Sequence, residues 1–391
     1  MKLKIVLHLF SKNMKKTNTN FKKLVVVQVL PSLISGGVEK GTLEVANYLS
    51  RNGHDSIVIS NGGRLVDQLI NDGSTHIKWS IGKKSIFTFF YIIKLVALIK
   101  KKNINIIHAR SRLPAWIVFI TLKFIDKKIR PHFVTTVHGF NSVGLYSSIM
   151  TKGDRVIVVS NSIREFIRKN YNVDQSKVVL NYRGIEPKEY KRDRLLTKDW
   201  LKSWKKEFPA LEKKIILSIP SRVTRRKGHE DFLELLLRLK KDKLNVYGLI
   251  IGDVKNKKNR YQRELEQKII DYGLHEFVTF TGFRADVKNI IAVSNVVYSL
   301  SLEPESFGRT VIESIKLKTP VIGYDHGGVG EQLKLLFPEG LVRSRNILEL
   351  YKKTKKIIKN KPLIKETNLF QLDDMLKNTM NVYINLTHSK S

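Results

Sequence analysis

The chain alternates between short apolar runs and amphipathic stretches, and that rhythm predicts its elements. Leu24-Val25-Val26-Val27-Gln28-Val29-Leu30 is a continuous run of mostly β-branched residues, as in a parallel strand buried on both faces. Val38, Leu43, Val45, Ala46 and Leu49 then recur at helical spacing, and Gly53-His54 ends that helix before a strand at 55–59. Strands are predicted over 104–108, 133–140 and 155–161 and from Val178, with Ser160 capping a helix over 162–170. The pattern repeats with strands over 215–220, 247–253, 295–300 and 321–324, a strand and loop over 278–284, and helices over 230–240, 261–272 and 286–294. Another helix starts near Arg309 and stops at Thr319-Pro320, because proline cannot continue it, and Gly327-Gly328 turns after the following strand. Strand–helix alternation over 391 residues predicts an α/β protein of two Rossmann-like domains.

Ser85 to Lys102 is the most apolar segment, but Lys94 interrupts it and it falls short of the roughly 20 residues needed to cross a bilayer. It reads as a helix packed on the sheet, or one with a face resting on a membrane surface. Residues 1–22 read as a polar leader, with Met14 as an alternative start.

Composition changes this picture in one respect. Seventy-one Lys and Arg against 35 Asp and Glu give a net charge of +36, of which residues 1–200 carry +22. Part of this is a lysine-rich composition; the rest favours anionic partners such as nucleic acid, acidic lipid or phosphorylated substrates. Zero cysteines exclude disulfides and thiolate metal sites. No zinc spacing, phosphate loop of the G-x-x-x-x-G-K-[ST] type or Asp-x-Asp metal motif occurs, so no catalytic metal or other cofactor is expected.

The chemistry concentrates between Ser299 and Gly330. A strand runs out into Glu303-Pro304-Glu305-Ser306-Phe307-Gly308, and a helix follows, which is the edge where open α/β sheets bind ligands. The amides of Phe307, Gly308, Arg309 and Thr310 at the helix start suit a diphosphate, and Glu305 and Glu313 beside them suit sugar and ribose hydroxyls. Read alone, Glu305 equally suits the helix dipole, and Glu313 a solvated face. Upstream, Ser221-Arg222-Val223-Thr224-Arg225-Arg226-Lys227-Gly228 feeds another helix, so Arg222 and Lys227 form a diphosphate clamp, or else a solvated basic loop or an RNA contact. His108, with Arg110 after it, and His138 follow strand ends on the same edge of the first half; a lone histidine is more often structural.

Glu305-x7-Glu313 enclosing Phe307-Gly308 resembles the E-x7-E signature of retaining glycosyltransferases of family 4, which have the GT-B fold of two Rossmann-like domains facing across a cleft. Other landmarks follow in family order: Gly36-Gly37 after the first strand, Thr136-Val137-His138-Gly139, Arg222 to Gly228 as G-R-x4-K-G with Ser221 for the first glycine, Gly252-Asp253, and Phe283-Arg284. The resemblance implies a nucleoside-diphosphate sugar as donor. Arg222 and Lys227 would hold its diphosphate, Gly36-Gly37 approach it, Glu305 bind the sugar, Glu313 the ribose, His138 line the cleft at the sugar, and the 283–284 loop hold the base through its backbone. His108 and Arg110 remain acceptor-side candidates.

One landmark departs: where the family has N-G-I-D, this chain has Asn181-Tyr182-Arg183-Gly184-Ile185-Glu186, and the loop is assigned no catalytic role. The His-Gly-Phe segment and Tyr324 to Glu331 resemble lipopolysaccharide-core and cell-envelope enzymes, implying a lipid-linked or envelope glycan acceptor and peripheral attachment to the anionic inner face of the cytoplasmic membrane. The expected organisation is a leader (1–22), an acceptor-side domain (23–190), a connector (191–212), a donor domain (213–370) and a helix within 371–391 crossing back to the first domain. A transferase acting on a soluble sugar, a nucleic-acid-binding protein and a non-catalytic scaffold are the alternatives; dispersed basic residues without an aromatic-basic repeat argue against nucleic acid.

Overall fold

The computed structural model describes residues 23–34, 36–252 and 260–388. The leader over 1–22 with its alternative start, and the Asp253 end of the predicted Gly-Asp strand, lie outside them.

The first domain is built on seven parallel strands: β1 (Val25–Val29), β2 (Asp55–Ser60), β3 (Thr75–Lys78), β4 (Ile106–Ala109), β5 (His132–Val137), β6 (Arg155–Val158) and β7 (Val178–Leu180), in the order β3-β2-β1-β4-β5-β6-β7. Alternate residues of β1 serve opposite faces. Val27 and Val29 join one core with Leu95, Ile99, Ile117 and Val118 of the helices Phe90–Lys102 and Arg112–Lys123. Leu24 and Val26 join the other with Val45 and Leu49 of the helix Gly37–Arg51.

That second face is completed from the far end of the chain. The helix Leu372–His388 buries Met375, Leu376, Met380, Val382, Tyr383 and Leu386 there. At about 2 kcal/mol per fully buried side chain, the gross stabilisation is on the order of 10 kcal/mol.

The second domain has six parallel strands: β8 (Ile215–Pro220), β9 (Val246–Ile251), β10 (Val278–Gly282), β11 (Val296–Ser299), β12 (Val321–Tyr324) and β13 (Leu341–Val342), ordered β10-β9-β8-β11-β12-β13. Strand order reverses between β1 and β4 in one sheet and between β8 and β11 in the other, and such reversal points open ligand crevices. The chain crosses between domains twice, and the crossings are bonded together: the Ile185 amide donates to Phe370 O at 3.0 Å and the Leu372 amide to Ile185 O at 2.9 Å. The connector is helical, and Trp200, Trp204 and Phe208 pack against Tyr247, Leu249 and Ile290 of the second domain. At Gly327-Gly328 the structure differs from the predicted turn, because a helix, Gly327–Leu336, begins there. The helices Val66–Asn71 and Arg112–Lys123 and the outer strand β3 extend the predicted pattern.

Candidate active site

Two loops of the second domain meet beyond β8 and β11. The Leu302 amide donates to Arg226 O at 2.7 Å. Gly228, at φ 73°, lies so close to the end of β11 that a Cβ there would come within 2.0 Å of Leu300 O. Only glycine combines that backbone with that clearance. The approach places Lys227 Nζ 2.7 Å from Glu305 Oε1, which also accepts from Ser301 Oγ. Arg222, Lys227, Ser299, Ser301, Glu305 and Thr310 line a cavity of about 110 Å³ at the reversal point.

Burial pushes the Glu305 carboxyl up, but the charge and hydrogen bond of Lys227, the Ser301 bond and the charge of Arg226 outweigh it and hold it below the ordinary carboxylate range. Both bonds fall on Oε1, and one bond to Glu305 leaves the Lys227 ammonium two further donors. Gly308, in the left-handed conformation, opens the helix Arg309–Lys316, whose first amides have no intrahelical acceptor.

Some expected donor residues are committed elsewhere. Glu313 accepts from Tyr190 Oη at 2.9 Å and lies 3.5 Å from Arg309 Nε. The Arg309 guanidinium reaches across the cleft to Glu44 Oε1 at 3.3 Å. Phe307 is buried against Tyr182 and Phe370 at the crossing. Arg284 binds Asp286 at 2.8 Å and Glu207, and sits over Trp204 and Phe208, so its side chain ties the connector down. Phe283 is exposed, with the Arg64 guanidinium of the first domain 5.7 Å from its ring centroid.

Facing this edge, Gly36 and Gly37 lie at the start of the helix Gly37–Arg51, and a Cβ on Gly37 would meet nothing within 4 Å. Arg222 is close enough for its charge to act on Glu39 across the cleft. His138 follows β5. Its Nδ1 lies 2.7 Å from Nη2 of Arg183, a permanent donor, so Nδ1 is the acceptor and the neutral ring carries its proton on Nε2. That Nε2 is buried without a hydrogen-bond partner among the described residues. Burial first, then the charges of Arg183 and Arg110 and the proximity of His108, hold the His138 pKa well below its ordinary value.

His108 and Arg110 differ from the expected acceptor contacts. His108 is buried; Nδ1 meets Tyr383 Oη and Nε2 meets Thr136 Oγ1, both at 2.6 Å, which spends both ring nitrogens inside the protein. Arg110 is buried too, with Nε at 2.8 Å from Gln28 Oε1. Sequence reasoning missed Arg183 and Glu331. Glu331 Oε1 accepts from the Asn161 amide at 3.1 Å and from Tyr182 Oη, and Oε2 from the Ser162 amide at 3.2 Å, joining the two domains. The departure at Tyr182-Arg183 was the available signal for both.

Residues 35–189 match the family model described as Glycosyltransferase Family 4, and residues 202–369 match Glycosyl transferases group 1. A solved glycosyltransferase from Rickettsia africae is 31% identical with a TM-score of 0.84, covering 94% of this chain and 99% of that one. The chain belongs to the GT-B glycosyltransferases. N-acetyl-alpha-D-glucosaminyl L-malate synthase of Bacillus anthracis is 24% identical over 324 residues, 78% of this chain and 79% of that protein. WaaG, a glycosyltransferase involved in lipopolysaccharide biosynthesis, shares the fold with a TM-score of 0.65 at 13% identity, covering 94% of this chain and 98% of its own.

Proposed function

We propose that this glycosyltransferase moves a sugar, with retention of configuration and without a metal ion, from a nucleoside-diphosphate sugar to an envelope glycan or glycolipid of the lipopolysaccharide-core kind. The observation that carries the donor half is the cavity joining Arg222, Lys227 and Glu305 to the start of the helix Arg309–Lys316. Arg222, the two remaining donors of Lys227 and the helix amides stabilise charge on the departing diphosphate. Glu305 Oε2 accepts from a sugar hydroxyl, His138 Nε2–H donates to the sugar, and Glu313 serves the ribose once the cleft admits the donor. The acceptor oxygen bonds to the anomeric carbon as the bond to the diphosphate breaks. The acceptor proton passes to a diphosphate oxygen.

The acceptor half rests on a surface of the first domain. No helix among the described residues is long and apolar enough to cross a membrane. Ile86, Phe87, Phe89, Phe90 and Ile93 nevertheless stand exposed at the start of the helix Phe90–Lys102, Phe87 by 82%. Lys83, Lys84 and Lys94 lie beside them, Lys94 Nζ at 5.4 Å from the Phe90 ring centroid. Apolar side chains ringed by lysines suit an anionic bilayer, where each cation near the surface contributes about 1 kcal/mol. A lipid-linked acceptor would lie in that surface, with the protein peripheral on the cytoplasmic face.

A soluble acceptor is the second reading, favoured by the malate in the Bacillus relative's name. Thermal stabilisation by UDP, GDP, ADP and UMP without metal, repeated on Lys227→Ala, tests the donor half. One diphosphate raising Tm in the wild type alone identifies the base; no shift with any of them removes the donor reading. Sedimentation with phosphatidylglycerol vesicles at low salt, with Phe87→Ser/Phe90→Ser as control, tests the membrane half. No sedimentation of the wild type favours the soluble acceptor.

A further inference from the structure

We infer that Arg183, one of the two residues that interrupt the family's N-G-I-D motif, is a positioning residue that fixes the tautomer and orientation of His138, so that Nε2–H faces the reaction as a donor. The inference rests on the proposed contact between His138 and the donor sugar.

Neutral imidazole has one protonated nitrogen, and the partner of the other decides which. Main-chain carbonyls and carboxylates at Nδ1 accept a hydrogen bond from Nδ1–H and thereby leave Nε2 bare as a base. Arg183 does the reverse. Its guanidinium has no acceptor capacity, so the bond at Nδ1 requires a bare nitrogen there and puts the hydrogen on Nε2. A nearby cation also opposes protonation of the ring.

The guanidinium itself is confined. Nη1 lies 3.6 Å from Met375 Sδ, on the helix that crosses back from the second domain, and a Cβ on Gly41 would come within 2.3 Å of the same Nη1. Burial, then the neighbouring Arg110, pulls the Arg183 pKa down to about 9, which leaves it charged at neutral pH. A buried cation whose hydrogen bonds go to an imidazole and a thioether is a costly arrangement for stability alone. The assembly spans three segments: the crossing loop holds the arginine, the helix Gly37–Arg51 makes room for it, and the C-terminal helix backs it.

The test uses the full chain with 15N-labelled histidine, the His138 resonances being assigned with His138→Gln. Wild type should show the Nε2–H tautomer alone and a midpoint well below that of an ordinary histidine. Arg183→Gln should mix the tautomers and raise the midpoint; Arg183→Lys should restore most of the wild-type pattern. Gly41→Ala, which alters neither partner, should resemble Arg183→Gln. In transfer assays Arg183→Gln should lower kcat at least about tenfold, leave the donor KM within about threefold, and move the acid limb of kcat to higher pH.

A wild-type Nδ1–H tautomer, or a midpoint near 6.5, overturns the inference. So does Arg183→Gln with unchanged midpoint and tautomer, even if Tm and kcat fall together, because that is a packing role. If the spectra behave as stated while kcat and its pH profile stay unchanged, Arg183 still sets the ring and it is the sugar contact of His138 that fails.

Discussion

On the second domain's edge, Lys227, Ser301 and Glu305 come from two loops lying side by side, and Ser301 and Glu305 are four residues apart. On the first domain's edge, His138 is held by Arg183, 45 residues away, and Arg183 abuts Met375 another 192 residues on. The donor side is therefore built from two loops of one domain, although Lys227 and Glu305 lie 78 residues apart. The facing side exists only once both crossings and the C-terminal helix are in place. The two should respond differently to damage: the donor side through chemistry at its two loops, the facing side through assembly.

The largest expected effect is Glu305→Gln. It removes the charge that orients Lys227, so kcat/KM should fall about a hundredfold while the fold persists. The pH dependence has a definite sign. The folded carboxyl lies below its ordinary range, so its contribution to stability is present above the unfolded pKa of about 4.3 and is lost as pH falls through the folded value. The Tm advantage of wild type over Glu305→Gln should therefore shrink below about pH 4.3. An advantage independent of pH would mean that Lys227 is not the partner that matters.

The clasp between the domains comes next. The Glu331 carboxylate takes the Asn161 and Ser162 amides, the Ser162 hydroxyl and Tyr182 Oη, at the positive end of the helix Asn161–Asn170. Glu331→Ala should cost about 2–3 kcal/mol in denaturant unfolding and enlarge the radius of gyration in small-angle scattering. Loss of stability without opening would make the clasp a local cap only.

How much was legible follows the same division. The repeating strands, the helix after Gly308, and Lys227 and Glu305 as separate candidates lie within patterns of period 2, 3.6 or fixed loop spacing, whereas their pairing across 78 residues does not. The C-terminal helix was expected only from the resemblance to the family, and its residues Met375 to Leu386 pack on the first sheet. His108 lies within β4, paired with Val134, and His138 follows the end of β5; the resemblance to the family singled out His138, but nothing in the spacing showed what either ring would touch. What separates them is Tyr383, which closes His108 from 275 residues away, and Arg183, which leaves Nε2 of His138 unpaired. Tyr182 and Arg183 break a motif, and a broken motif carries no indication of what the new residues touch. The helix at Gly327 was misread because paired glycines also serve close approach: the Gly328 amide donates to Glu305 O at 2.7 Å.

Tyr383→Phe sharpens the distinction between the histidines. It leaves His108 Nδ1 buried without its partner, so stability should drop by about 1–3 kcal/mol while kcat/KM stays within about twofold. A tenfold loss of kcat/KM at unchanged stability would return His108 to the acceptor site.

The smallest effect probes both kinds of contact on one helix end. Ser160 Oγ accepts from the Ile163 amide at 3.2 Å, the cap foreseen from sequence, while Glu331 takes the two preceding amides from the other domain. Ser160→Ala alone should cost about 1 kcal/mol. In the double variant with Glu331→Ala, the exposed helix end frays, so the second change costs less than it does alone and the coupling should reach at least about 0.5 kcal/mol. Strict additivity would mean that the two caps hold the end independently. The long-range contact would then stabilise the closed cleft without reinforcing the helix beneath it.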